Sequence, residues 1–321
     1  MPTFVIPDLY CPFPSVVNRH AEQVHVYTIE WINRFGLFSE HARRRLPEVK
    51  FAWLAAHVSP KATQTELQLL ADWNIWLFAR DDLCEETAIR NNPEQMHALN
   101  SRLLAVLDNG ETVPTDMPLV HSLADLRQRI LSRTTPNCMT HFVARVKDYF
   151  DSNVWEATNL GQGLYPDMVT YIAMRHHTGA LYTAFELAII IEQIQLSEDI
   201  REHPDFQSLA IHANNVVCWA NDIISLDKEI RCGEIHNLVL IIQRQYQLSL
   251  QEAVNRVAEM HNAEVRAFIT EEAQLTATGV MVDANLERLI DVMRFWMRGN
   301  LDWALMTARY QPGSRMYGAR T

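Results

Sequence analysis

The sequence predicts an all-α protein of ten or more helices. Three observations lead there. Only ten glycines occur in 321 residues. Strand-like alternation is scarce, whereas apolar residues recur at helical spacing. The prolines at positions 93, 114, 118, 136, 166 and 204 fall in loops or at helix starts, where proline is tolerated. The length would allow two domains. However, no loop is long enough to act as a linker and no repeat or low-complexity segment is present, so residues 1–321 read as one domain.

Taken in order, residues 1–14 carry four prolines together with Phe4, Tyr10 and Phe13, and read as an extended strap. Helical periodicity begins near Ser15, passes through Val24, Tyr27 and Trp31, and stops at Phe35-Gly36. A short helix is expected from Ser39 until Pro47 ends it, and another from Lys50 to His57, closed by Pro60. Thr63 or Thr65 can cap the next helix, which runs from Glu66 through Trp73, Trp76 and Phe78 into Asp81-Asp82-Leu83-Cys84-Glu85-Glu86. Further helices are expected at 93–108, 119–132, 137–159, 166–177, 180–197 and 205–231, then at 236–247, 249–277 and 283–308. Residues 312–321 read as a C-terminal tail.

Apolar residues make up 48% and charged residues 21%, ordinary values for a chain with a large core. The net charge is −11, from 39 acidic and 28 basic side chains, which argues against a nucleic-acid footprint. An acidic chain that binds an anion needs metal ions to reverse the local field. The five cysteines, Cys11, Cys84, Cys138, Cys218 and Cys232, form no CxxC pair and read as free thiols of a reducing compartment. No signal peptide is evident, and the longest apolar run, Ala180 to Ile191, is too short to span a bilayer. A soluble, cytoplasmic protein is expected.

The most informative stretch is Asn221 to Glu229. It lies in a segment free of proline and glycine from Asp205 to Cys232, which reads as one long helix. Asn221, Ser225 and Glu229, spaced i, i+4 and i+8, then stack on one stripe and present an amide oxygen, a hydroxyl and a carboxylate together. Hard oxygen donors of this kind suit Mg²⁺. Lys228 flanks the stripe and can meet an anion held by the metal. Val216 to Ala220, Ile223 and Ile224 make the helix apolar almost all round, so its polar stripe needs partners inside the protein.

Asp81, Asp82, Glu85 and Glu86 place four carboxylates at the end of an apolar helix. That placement opposes the macrodipole, and Asp81 and Glu85 repel as i, i+4 neighbours; each term is adverse by a few tenths to about 1 kcal/mol. A metal site accounts for both. Phe78 and Ile75, placed earlier on the Asp81 stripe, would make the face below the carboxylates apolar, which is the profile of a greasy pocket with a metal mouth. Between the clusters lies Arg175-His176-His177-Thr178-Gly179. Gly179 interrupts the apolar pattern from Tyr171 to Ile191 and predicts a helix break, with Arg175 one turn earlier placed to read an anion. His176 and His177 point about 100° apart on a helix and read as packing or hydrogen-bonding residues. Near the C-terminus, Trp296 and Trp303 share a face, with Arg309-Tyr310 following.

This ordered set resembles the bacterial class I terpene synthases (terpene cyclases), sesquiterpene synthases above all, over nearly the whole chain. The carriers are Phe78 with Asp81-Asp82-Leu-Cys-Glu85; Asn221, Asp222, Ser225, Lys228 and Glu229; Arg175 forty-six residues before Asn221, with Thr178 and Gly179; and the Arg309-Tyr310 pair. The chain departs from the family pattern at Glu85-Glu86, where an aspartate is usual, and at Thr178, where an acid is often found.

The resemblance implies a helical bundle around a central pocket, of the class I terpenoid synthase fold. It implies three Mg²⁺ ions held by Asp81, with Asp82 and Glu85, on one side and by Asn221, Ser225 and Glu229 on the other. These would grip the diphosphate of a linear prenyl diphosphate, with Arg175, Lys228, Arg309 and Tyr310 bonding its oxygens and Gly179 at the effector position. Ile75, Phe78, Val217, Cys218 and Trp303 are the expected wall residues. Ionisation and ring closure would give a cyclic hydrocarbon or alcohol, most naturally from farnesyl diphosphate, with geranylgeranyl diphosphate as the alternative; a monomer or homodimer is implied. A chain-elongating prenyl diphosphate synthase would need a second Asp-rich motif where Asn221, Ser225 and Glu229 stand. A helical binding protein without turnover would not need metal ligands on both walls.

Overall fold

The computed structural model describes residues 4–277 and 284–310. Among them the regular structure is helical: α1 (Ala21–Phe35), α2 (Glu40–Arg43), α3 (Leu46–Val49), α4 (Phe51–Val58), α5 (Gln64–Glu86), a 3₁₀ turn at Ala88–Asn91, α6 (Pro93–Asn109), α7 (Pro118–Leu131), α8 (Pro136–Gln162), α9 (Met168–Thr178), α10 (Leu181–Ile191), α11 (Glu198–Arg201), α12 (Pro204–Ile224), α13 (Leu226–Cys232), α14 (Leu238–Tyr246), α15 (Leu250–Ala277) and α16 (Ala284–Met306). The all-α expectation holds. No helix among the described residues is long and apolar enough to cross a membrane.

Local chemistry explains many of the boundaries. Proline opens α6, α7, α8 and α12 at the first turn, where its missing N–H costs nothing. Thr63 caps α5 in a capping box with Glu66, whose carboxylate accepts from the Thr63 N–H at 2.8 Å. The strap is extended, as expected: Val5 exchanges two hydrogen bonds with the Gln251 amide, Tyr10 N donates to Asn262 Oδ1, and Phe13 meets Phe268 edge-on.

Four expectations are corrected. The first helix starts at Ala21 rather than Ser15, because the Asn18 amide turns aside to bond Ser59 O and Ala62 O. Pro47 does not end a helix; it sits in the first turn of α3, after a separate short α2. The helix expected at 180–197 stops at Ile191, where Gln193 takes a left-handed conformation (φ 53°) and turns the chain back. Finally, the helix expected across 205–231 is broken at Ser225 into α12 and α13. The Ser225 hydroxyl lies 2.6 Å from Asn221 O, so the side chain competes for the helix's own acceptor. Residues 283 and 312–321, assigned above to a helix start and a tail, lie outside the described residues.

The core is built on α5 and α12. On α5, Trp73 stacks on Trp76 at 5.3 Å and its indole N–H donates to Thr183 Oγ1, while Trp76 donates to Leu119 O. Both rings are fully buried, and buried aromatics dominate core energetics. Helix α12 packs against α9, α14, α15 and α16, which makes it the central helix its all-round apolarity predicts.

Candidate active site

Helices α4, α5, α6, α8, α9, α10, α12, α13 and α16 contribute to the lining of a chamber of about 220 Å³. Its apolar lining includes Leu54, Leu77, Phe78, Leu181, Val217 and Trp296; its mouth lies at the end of α5.

The acid cluster sits in the last turns of α5. One carboxylate oxygen from each of Asp81, Asp82 and Glu85 lies within 4.8 Å of the others, and Glu86 is not part of the group. Surrounding protein and the charge of Glu85 raise the Asp81 pKa, while Lys228 and Arg309 oppose the shift. Asp82 is buried and locked by Arg309, which donates from Nη1 at 2.8 Å and from Nη2 at 2.9 Å. Lys228 crosses from α13 to Glu85 Oε2 at 2.9 Å and lies 3.8 Å from Asp82. The two walls are thus joined by cations.

On the facing wall the Asn-Ser-Glu set stays together despite the break at Ser225. The Ser225 hydroxyl lies 2.5 Å from Glu229 Oε1, and Asn237 donates to Glu229 Oε2 at 2.7 Å. Enclosure and the nearby charge of Asp222 push the Glu229 pKa up to about 8. Asn221 accepts from Arg175 Nη2 at 3.0 Å and donates to the Tyr310 hydroxyl at 2.9 Å. Arg309 and Tyr310 reach this position from the turn that follows α16.

Arg175 stands in the last turn of α9, held by Asp222 at 2.7 Å; its contact with Thr178 Oγ1 is a long 3.5 Å. Asp222, 1% exposed, also accepts from the Tyr171 hydroxyl and from the Leu238 N–H. The helix break falls where expected, between α9 and α10, although the left-handed residue is Ala180 (φ 56°) and not Gly179. The glycine is required for another reason: a Cβ there would stand 2.3 Å from Cys218 Sγ. His176 bonds Asn215 and His177 packs beside Tyr182, which are structural roles.

Of the expected wall residues, Phe78, Val217 and Cys218 line the chamber, and Ile75 and Trp303 do not. Ile75 is six residues before Asp81, a turn of about 120° off the stripe; Asn74, seven before, is the residue that lies on it. Trp303 packs behind Phe78 at 5.4 Å with its indole N–H bonded to Lys50 O, and Trp296, two turns earlier, takes the lining position. Sequence reasoning also passed over Tyr171, Asn237 and the anchoring role of Asp222, together with a polar rim of Arg90, Glu156, Glu234 and His236. Asp222 carried a signal, since it is a charged residue on a helix apolar almost all round; Asn237 carried only the turn marked by Gly233.

A greasy chamber beneath a mouth of oxygen donors and cations suits a substrate with an anionic head and an apolar body, and the class of protein so defined is a helical enzyme that binds a divalent metal. The family model for terpene synthase family 2, C-terminal metal binding, matches residues 72–267. (+)-T-muurolol synthase of Roseiflexus castenholzii, which cyclises (2E,6E)-farnesyl diphosphate, is 38% identical over 95% of this chain and 93% of that protein. Germacrene A synthase of Nostoc punctiforme is 33% identical over 98% of both. Among solved structures, germacradien-4-ol synthase of Streptomyces citricolor superposes with a TM-score of 0.81 at 25% identity, covering 93% of this chain and 98% of that one. The chain belongs to the terpene synthase family.

Proposed function

We propose that this protein ionises farnesyl diphosphate in a Mg²⁺-dependent step and cyclises it to a sesquiterpene hydrocarbon or alcohol, releasing diphosphate. The observation that carries the reading is the pairing of two oxygen-donor sets, Asp81/Asp82/Glu85 and Asn221/Ser225/Glu229, across one mouth above an apolar chamber. The donor chemistry fits the metal: three carboxylate oxygens within 4.8 Å of one another, which Arg309 and Lys228 now neutralise, and the facing amide, hydroxyl and carboxylate are all hard donors. When bound, the ions, three by family resemblance, would supply Lewis-acid stabilisation of the departing diphosphate.

The chain's own groups do the rest. Arg175, Lys228, Arg309 and Tyr310 converge on the mouth and would exchange their present carboxylate and amide partners for diphosphate oxygens. Phe78, Val217, Cys218 and Trp296 fold the prenyl chain and exclude water from most of the chamber. Trp296 and Phe78 also offer aromatic faces to a cation. The C15 substrate is preferred because the relative (+)-T-muurolol synthase cyclises farnesyl diphosphate. By the same resemblance, residues 1–321 act as one catalytic domain, as a cytoplasmic monomer or homodimer.

The test is incubation of the purified protein with Mg²⁺ and, separately, the C10, C15 and C20 diphosphates, followed by extraction of volatile products. A cyclic C15 product is expected. Elongated diphosphates formed only with added isopentenyl diphosphate, or no turnover of any substrate, would overturn the reading.

A further inference from the structure

Asn74 is a polar residue where the chamber calls for an apolar one. It is 3% exposed and lines the chamber, and its amide nitrogen is buried with no hydrogen-bond partner among the described residues. The other unpaired buried nitrogens on the lining, the Nε atoms of Arg80, Arg90 and Arg175, belong to guanidiniums bonded through their other nitrogens. Leaving an amide unpaired costs about 1–3 kcal/mol, a penalty that leucine, with the same branching and side-chain heavy-atom count, would avoid.

The residue's place in the fold is equally particular. Seven residues before Asp81 and on the same stripe of α5, it lies about 10 Å along the helix axis from the metal mouth. It shares the lining with Leu54, Leu77, Phe78, Leu181 and Trp296. A second amide, Asn300 of α16, also lines the chamber, and its nitrogen reaches only a long 3.5 Å contact to Val217 O. The chamber of about 220 Å³ has room for a water molecule, whose share of liquid volume is about 30 Å³.

We infer that Asn74 holds a water molecule in the chamber and that this water ends the cyclisation, so that the product is an alcohol. This rests on the cyclase reading. An N–H donor offers nothing to a carbocation, but it fixes water through one lone pair and leaves the other free. In the closing step that free pair forms a C–O bond to the cationic carbon. The oxonium proton passes to the diphosphate released at ionisation. Prenyl diphosphate and water become cyclic alcohol and protonated diphosphate, with no change of oxidation state.

The experiment is product analysis of the native protein and of Asn74→Leu in H₂¹⁸O with Mg²⁺ and farnesyl diphosphate. The native protein should give mainly an ¹⁸O-labelled alcohol. In Asn74→Leu the alcohol-to-hydrocarbon ratio, which is independent of the overall turnover rate, should fall roughly tenfold or more. Asn74→Ala serves as the second variant should leucine not be accommodated, with the same expected fall. A native product that is hydrocarbon alone, or a ratio unchanged in both variants, overturns the water site and leaves the cyclase reading standing. No cyclic product from the native protein overturns both.

Discussion

Arg309 and Asp82, 227 positions apart in sequence, form a buried two-bond pair at 2.8 and 2.9 Å, each side chain 3% exposed. The guanidinium also reaches Asp81 at 3.3 Å and lies 4.4 Å from the Phe78 ring centroid. One side chain therefore ties the C-terminal turn, the acid cluster and the chamber wall together.

Replacing Arg309 with alanine strands a buried carboxylate, and stability should fall by about 3–5 kcal/mol. Arg309→Lys should recover only part of this, since an ammonium cannot reproduce the two-bond geometry. Denaturant unfolding of both variants measures it, and equal stability of Arg309→Ala and native protein would refute the pairing.

Asn221→Ala and Glu229→Ala should each lower turnover roughly 10²-fold or more and leave the far-ultraviolet circular dichroism unchanged. Chelation of divalent metal should silence the native protein, and added Mg²⁺ should restore it. A variant with normal turnover would sink the metal assignment.

Gly179→Ala drives a methyl group into Cys218 Sγ, 2.3 Å from its ideal position. Overpacking of this kind costs about 1–3 kcal/mol, and the product mixture should change with the helix break. Adding Cys218→Ala should relieve the clash. Non-additive melting temperatures in the double variant are the readout.

His212 joins α12 to α15, with Nδ1 2.6 Å from Glu264 and Nε2 3.3 Å from Glu271. The Glu264 hydrogen bond raises its pKa above the ordinary 6.5, against the opposing effect of burial. A raised folded value means that the stabilisation is complete below pH 6.5 and is lost as pH climbs through the folded value. The pair is worth about 0.5–1 kcal/mol. Melting temperature should therefore fall between pH 6 and 8 by more in the native protein than in His212→Gln, and parallel curves would count against the assignment.

The fold class was legible because scarce glycine and helix-opening prolines act locally. The metal motifs were legible because i, i+4 spacing carries from chain to helix face. The break at Ser225 was not, since it depends on a hydroxyl choosing Asn221 O over solvent. Ile75 misses the wall because six residues turn a helix by about 600°, some 120° off the Asp81 stripe, whereas the seven back to Asn74 nearly complete two turns. Asn237 and Tyr171 act on residues brought close only by the fold, and no local spacing announces them.

The strap has a consequence for how the chain is made. Val5 bonds a residue 246 positions later, Tyr10 one 252 later, and the Cys11 carbonyl accepts from Arg298, 287 later. A ribosome delivers residues from the N-terminus, so these contacts, like those of Arg309 with α5, become available only once residues 251–309 have emerged. The acid motif emerges early and waits for its counter-charges. Nascent chains halted near position 290 should expose the strap to protease, whereas finished chains should not.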